Sequence, residues 1–425
     1  MYLFFVRRYN DIDHIVPIIY RMAKDGIKDI KIFCTNFQLD LKSDFRISFL
    51  FKEYNIKAEY YLLYKPIGFK HFLVVTFARF IIFYMHKINR SSRIAKGYLD
   101  KFYNESFFQK FCGEIWASKL IDSLDPTAVI FDWQKPKPFL HSFINDSKEK
   151  KIPLLLVPHG MFIASNNLIL NKEVVNGYVE NYRESWKSFN FVISQHKRFA
   201  DRIKLGGYES DRIIILGSTR FCKEWRNILE KINSGNKYKN KSNNRINVVY
   251  MDHRLAYRFY EEEVIDSINK LASLDSINLV VKPTTGRTHK SMIQEELGVL
   301  NHKNCPGITF EENVSSDSLI EWADVVINTI SSIGIEVLLK NKILVHPQYF
   351  HENSLLYSEM NACWTVNNYQ ELEDALIKIK ADIGYRPYSQ SDVDKFIEYV
   401  VYGHKKNRDV LGDYKDFILS KAKLN

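Results

Sequence analysis

Residues 322–347, WADVVINTISSIGIEVLLKNKILVHP, decide how this chain is read. Ala323-Asp324 leads into Val325-Val326-Ile327, a run with the length and β-branched content of a buried parallel strand. Asn328-Thr329-Ile330-Ser331-Ser332 then turns the chain, Ile333–Lys340 reads as a helix, and Ile343–Val345 follows as a second strand. A strand, a hydroxyl-rich turn and a helix start together offer free backbone N–H groups and Ser donors to an anion. Glu336 lies one helical turn past Ser332, on the face where a carboxylate can accept ribose hydroxyls. An ordinary crossover with Ser as N-cap gives the same local pattern. The rest of the chain must choose between the two.

Working outward, the same alternation recurs on both sides. Before residue 222 the expected strands are Tyr2–Val6, Ile30–Cys34, Lys57–Leu63, Ala128–Phe131, Ile152–Val157, Phe191–Ser194 and Arg212–Leu216, separated by helical stretches. Residues 222–245, ending in NSGNKYKNKSNNR, have the Lys/Asn/Ser composition of a linker. A second series starts at Ile246–Met251 and continues through Ile277–Val281, Ile308–Phe310 and the opening stretch. The expected domains are 1–221, 246–390 and a helical tail at 391–425. The expected fold class is α/β, with two Rossmann-like domains whose parallel sheets face a central cleft, an organisation that resembles the GT-B arrangement of glycosyltransferases.

Composition sets bounds. At 425 residues, 46% hydrophobic and 26% charged, the chain has the make-up of a folded globular protein with proper cores. Its net charge of +10 suits acidic partners such as nucleotide sugars or anionic lipid. Nucleic acid would suit the charge too, but no RRM, helix-turn-helix or zinc pattern supports it. The five cysteines are scattered without a CxxC, which argues for a reducing compartment and against structural zinc. The first eight residues lack the charge order and length of a signal peptide, and the expected location is cytoplasmic. Residues 65–110 stand apart: nine Lys/Arg against Asp100 and Glu105, interleaved with Phe, Tyr and Ile. Such a segment suits peripheral contact with an anionic membrane at its inner face, or two helices packing on the sheet with a solvated basic face.

Parallel α/β sheets place their chemistry at the carboxyl ends of strands. That filter selects Asp132, His159, Asp252-His253-Arg254, Lys282, Ser331, Ser332 with Glu336, and His346. Asp252 is a candidate nucleophile or base, with Arg254 to steer it or hold phosphate. His159, followed by Gly160, is a candidate acid/base or phosphate donor. Lys282 is a phosphate counter-ion, and Asp132 a base for an acceptor. A helix cap for Asp252, a carbonyl-bonded ring for His159, a snorkelling Lys282 and a turn-forming Asp132 are the structural alternatives. Asp11-x-Asp13 and Asp392-x-Asp394 match a metal-binding DxD pattern but fall at helix starts, so they read as caps, and no metal site is assigned. No P-loop, GxGxxG, HExxH or GxSxG occurs.

Several stretches carry a family resemblance: FDWQKP, IPLLLVPHG, LGSTRFCKEW, VVYMDHR, the VKP strand end and ADVVINTISSIGIEVLLKNKILVHP. From about Ala128 to Val366 the chain resembles bacterial surface-polysaccharide GT-B enzymes, nearest the β-Kdo transferases that use CMP-Kdo in O-antigen and capsule assembly. The resemblance implies retaining transfer to a lipid-linked glycan through a covalent intermediate on an Asp, here Asp252. It also implies that Ser331, Ser332 and Glu336, with Lys282 nearby, hold the CMP phosphate and ribose, with no further cofactor. The chain is also similar to the CDP-glycerol/ribitol phosphotransferases, which share a His-Gly like His159-Gly160. Their second-domain Lys-x-His-Pro here reads Lys282-Pro283-Thr284-Thr285, without the His. A UDP-sugar 2-epimerase of the same architecture, and a non-catalytic membrane-associated scaffold, are the readings of other classes.

Overall fold

A computed structural model describes residues 1–37, 39–66, 68–84, 87, 113–133, 136, 138–164, 186–233, 238, 244–252, 259–283, 307–311 and 314–422. The chain divides into two compact units. The first comprises Met1–Gly160, Val179–Asn233 and Val401–Asn425; the second comprises Met161–Tyr178 and Ser234–Val400.

The sheet of the first unit has seven parallel strands in the order β3-β2-β1-β4-β5-β6-β7. They are β1 (Tyr2–Val6), β2 (Ile30–Cys34), β3 (Ala58–Tyr60), β4 (Ala128–Asp132), β5 (Leu154–Val157), β6 (Phe191–Ser194) and β7 (Ile213–Ile215). The inner strands are buried along their length, which is why LFFV, AVIFD and LLLV carry no polar alternation before the strand end. Phe5 of β1 stacks on Phe131 of β4, with ring centroids 4.5 Å apart and planes 6° apart, so the two central strands are clamped at adjacent register. The expected strand Lys57–Leu63 is shorter than its apolar run: Tyr61–Leu63 turns into a 3-10 helix that drives Tyr61 into the core.

The helices of this unit include α1 (Tyr9–Lys24), α2 (Phe45–Tyr54), α3 (Gly68–Phe83), α4 (Gly113–Leu124), α5 (His141–Glu149) and α6 (Lys197–Leu205). Helix α7 (Lys223–Ile232) corrects the linker reading of 222–245. Trp225 is fully buried among Tyr20 and Phe49, and this one apolar anchor outweighs the polar composition around it. Residues 239–243 of that run lie outside the described residues.

The second unit carries six parallel strands in the order β10-β9-β8-β11-β12-β13. They are β8 (Ile246–Met251), β9 (Ile277–Lys282), β10 (Ile308–Phe310), β11 (Val325–Asn328), β12 (Ile343–Pro347) and β13 (Trp364–Val366). Helices α8 (Glu261–Ala272), α9 (Ser316–Trp322), α10 (Ile333–Leu339), α11 (Leu356–Glu359) and α12 (Tyr369–Ala381) connect them, and α13 (Gln390–Tyr402) follows. The opening stretch is thus β11, turn, α10, β12, as expected. In both sheets the order reverses between the first strand and its far neighbour, at β1/β4 and at β8/β11. Open α/β sheets bind ligands outside the carboxyl ends of the strands at that point.

The chain ends in α14 (Val410–Ala422), which packs on α1 in the first unit. Arg21 reaches Asp409 at 2.8 Å, Lys415 reaches Asp25 at 2.7 Å, and the Tyr414 hydroxyl donates to the Gly217 carbonyl at 3.0 Å. Gly217 itself has φ +86°, and a Cβ there would sit 2.5 Å from the Val401 carbonyl oxygen. Gly217→Ala is therefore expected to lower unfolding free energy by about 2–4 kcal/mol in urea titration. Gly160→Ala, with open space around the new methyl, should cost less than about 1 kcal/mol.

Candidate functional site

The carboxyl edge of the first sheet gathers four ionisable side chains. β1 delivers Arg7, β4 ends in Asp132, β5 leads through Pro158 to His159, and the first turn of α1 brings in Asp11. Asp132 is held from both sides: Phe131 by its stacking on Phe5, and Trp133 by donating from its indole to the Ile193 carbonyl at 2.7 Å. The Arg7 guanidinium donates to Asp132 Oδ2 at 2.6 Å, and His159 Nδ1 lies 3.3 Å from the same oxygen. His159 Nδ1 also hydrogen-bonds Asp11 Oδ1. The other Asp11 oxygen accepts from the backbone N–H groups of Arg7 and Arg8, at 2.7 and 2.8 Å. Beside this cluster a small cavity opens, with Arg7, Thr35 and Asp132 as polar wall and Phe5, Phe131 and Leu140 as apolar wall.

Electrostatics separates the members of the cluster. Burial alone would push the His159 ring down; the Asp11 and Asp132 carboxylates outweigh it and hold the ring up at about 9. Burial, then repulsion from Asp132, raises the Asp11 carboxyl. Burial opposes ionisation of Asp132 too, but His159 and Arg7 win and hold it below the usual carboxylate range. At neutral pH His159 is an imidazolium between two carboxylates. A raised folded value stabilises the fold fully below the ordinary value of 6.5 and loses that contribution as pH rises through about 9. Unfolding free energy should therefore fall between pH 6.5 and 9, and His159→Gln should flatten that slope in urea titrations.

The donor atoms of Asp11, Asp132 and His159 lie within 4.8 Å of one another, so this trio could hold a cation. Arg7 and the backbone N–H groups already compensate the carboxylates, and a cation would have to displace Arg7 from Asp132. Reading Asp11 as a cap was correct for one of its oxygens; its bond to His159, 148 residues away, has no local signature. Asp13 pairs with Arg46 and, at 3.1 Å, with Arg220. Asp392 and Asp394 make exposed local bonds to Ser389 and Gln390 at 2.7 and 2.8 Å.

In the second unit, Asp252 follows β8 and Lys282 ends β9, both more than nine-tenths buried. Register pairs Met251 with Lys282 and with Asn328, so Asp252, Lys282 and Asn328 share one edge at the switch point. The Asp252 N–H donates to the Lys282 carbonyl at 3.0 Å, which fixes the two strand ends together. His253 and Arg254 lie outside the described residues. Helix α10 has only seven residues; Ser332 is its N-cap position, but it is the exposed Ser331 whose hydroxyl accepts the Ile333 N–H at 3.3 Å. Glu336 is half-buried on the first turn. His346 lies against Asn328 at this same edge. Its ring is fully buried against the Asn328 carbonyl and Gln348, at 3.2 and 3.3 Å, and burial pushes it down to about 4.

Beside this edge lies a polar set that the strand-end filter missed. Asn328, Thr329 and Asn353 are fully buried, and Asn328 Oδ1, Thr329 Oγ1 and both amide atoms of Asn353 have no hydrogen-bond partner. Asn328 Nδ2 meanwhile donates to the Ser331 carbonyl at 2.8 Å and so ties the turn to the strand end. Orphaned buried polar atoms are costly, and their concentration at a switch point marks a place for a polar ligand or water. The sequence signal was present in the Asn-Thr that ends the β11 run.

No protein-family model matches the chain, and no curated protein matches its sequence. Solved structures share its fold. A UDP-GlcNAc 2-epimerase from Neisseria meningitidis bound to UDP-GlcNAc aligns at TM-score 0.53 and 12% identity, over 100% of both chains. Anabaena Alr3699/HepE in complex with UDP-glucose aligns at 0.53 and 11%, over 99% of this chain and 98% of that one. A glycosyltransferase from Rickettsia africae ESF-5 aligns at 0.54 and 13%, over 100% and 99%. The expected α/β class, with two Rossmann-like units built on parallel sheets, is the fold these proteins share with this chain.

Proposed function

We propose that the protein is a nucleotide-sugar-dependent glycosyltransferase that transfers Kdo from CMP-Kdo, with retention, to a lipid-linked glycan of a surface polysaccharide. The observation that carries this reading is the edge of the second sheet. There a buried carboxylate, a buried ammonium and orphaned amide and hydroxyl atoms meet at the switch point, beside the Ser331 turn. Asp252 is the nucleophile: its carboxylate oxygen bonds to the anomeric carbon as the bond to the CMP phosphate breaks. Lys282 and the Ser331, Ser332 and Glu336 turn hold the departing phosphate and the ribose, and Arg254 adds a cation. An acceptor hydroxyl oxygen then bonds to the anomeric carbon as the ester bond to Asp252 breaks, its proton passing to solvent and the Asp252 carboxylate being restored. Such an oxocarbenium-like transition state needs an adjacent carboxylate and fixed donors on the leaving group.

The first unit carries an acid/base cluster of its own. Asp132 stays ionised and His159 enters as an imidazolium, so His159 acts as proton donor or anion partner in the resting state. Asp11, the carboxylate with the raised value, is the stronger base of the pair. Two of the solved neighbours were crystallised with UDP-sugars, which favours a second reading: a UDP-sugar 2-epimerase, using the same acid/base cluster without an acceptor. Incubation with CMP-Kdo plus a lipid-linked acceptor, with CDP-glycerol, and with UDP-GlcNAc alone separates these. The proposal expects CMP release and a new glycan from the first mixture only. Epimerised UDP-sugar without acceptor decides for the second reading, and glycerol phosphate transfer for the phosphotransferases.

A further inference from the structure

Helix α3 is apolar on both sides; one side packs into the core, and the other is exposed by half or more. Its buried positions His71, Val75, Ala78 and Ile82 follow the i, i+4, i+7, i+11 spacing of one helix face and pack into the first unit's core. The opposite face carries Phe69, Phe72, Leu73, Phe77, Phe80 and Phe83, between 50% and 74% exposed. They fall at i, i+3, i+4, i+8, i+11 and i+14, a single stripe along the whole helix. Most of the large hydrophobic side chains exposed by half or more among the described residues lie on this one helix. A solitary exposed Phe is ordinary; a continuous stripe of six marks an interaction surface.

We infer that this stripe docks in the plane of an anionic phospholipid bilayer, with the Phe rings at the headgroup boundary. Three observations choose this occupant. No helix among the described residues is long and apolar enough to cross a membrane, and sixteen residues of α3 span only about 24 Å, so the helix lies on the surface rather than through it. The surrounding sequence, 65–110, holds nine Lys/Arg against two acidic residues within a chain of net charge +10. That charge complements phosphatidylglycerol or other anionic lipid, whereas a second copy of this chain would bring the same positive charge against itself. The stripe is five Phe and one Leu with no charged residue within it, as an interfacial helix requires.

The inference goes beyond the sugar-transfer reading and needs neither donor nor acceptor to be tested. The full chain is mixed with vesicles of phosphatidylcholine alone and of phosphatidylcholine with phosphatidylglycerol, then sedimented. Binding to the anionic vesicles should exceed binding to neutral ones by about ten-fold or more, and should weaken as salt is raised. Phe72→Glu/Phe80→Glu should lower it by at least about ten-fold with an unchanged thermal unfolding midpoint, because both side chains are exposed. Phe69→Gln alone, at the far end of the stripe, should give a smaller loss. Equal vesicle binding by wild type and the double variant overturns the proposal. So does wild-type self-association that the double variant abolishes without any vesicle binding, which would make the occupant a second copy. Either result leaves the donor assays of the catalytic reading untouched.

Discussion

On the proposed reading, replacing Asp252 by Asn is expected to lower sugar transfer by about a thousand-fold or more while nucleotide binding stays within roughly two-fold. The size of the effect follows from covalency: an amide cannot form the glycosyl ester, so the two-step path is closed rather than slowed. The change removes only one oxygen's worth of chemistry. Asn is isosteric with Asp, and the backbone bond from residue 252 to the Lys282 carbonyl, 3.0 Å in length, does not involve the side chain. Turnover is read as CMP released in the presence of acceptor, and binding as nucleotide-dependent thermal shift. Full turnover with unchanged binding removes Asp252 from the nucleophile role. Loss of both together would make it a binding residue. Lys282→Ala is the useful contrast, because it should weaken nucleotide binding itself.

The second large effect concerns the first unit. Asp132→Ala is expected to destabilise the protein by about 2–4 kcal/mol, because it removes the carboxylate that the Arg7 guanidinium, only 12% exposed, meets at 2.6 Å. It also removes one of the two carboxylates that hold His159 protonated, so the pH slope of stability described above should shift to lower pH in the same variant. A double change, Asp132→Ala with Arg7→Met, should recover part of the stability, since it removes the buried cation along with the carboxylate that faces it. It should not recover transfer if the cluster serves the acceptor. Urea titration of the three variants reads the first claim, and CMP release the second. Equal stability of wild type and Asp132→Ala would mean that the Arg7 pair is solvated and contributes little.

The sheets were legible because their strands are buried on both faces, which forces continuous runs such as VVYM, LLLV and VVIN. The reversal of strand order at β1/β4 and β8/β11 was not legible, because nothing local encodes which strands become neighbours. Four of the strand-end candidates, Asp132, His159, Asp252 and Lys282, do stand at the carboxyl edges of the sheets. His346 shows the limit of the filter. A strand-end side chain can be fully buried, and this one packs against the Asn328 carbonyl beside the polar set. Asp11 and Arg7 were missed because their partners lie 148 and 125 residues away, and a helix-start Asp already has a sufficient local explanation. Helix α7 was lost to composition. Its Trp225, Ile228, Leu229 and Ile232 keep helical spacing through a polar stretch, a periodic signal that the Lys and Asn count obscured.

The return of α14 to the first unit has a consequence for how this protein is made. As the chain leaves the ribosome, the first 233 residues emerge without the helix that covers α1 and without the Val401 carbonyl that receives the Ser218 N–H. The first unit therefore cannot complete its packing until residues 401–422 have been synthesised, long after its seven strands are available. During that interval an incomplete helical layer over α1 is open to aggregation, and chaperone demand should track the arrival of α14 rather than that of the strands. A fragment stopping at residue 400 would keep every strand of both sheets and still behave like a lesion in the first unit.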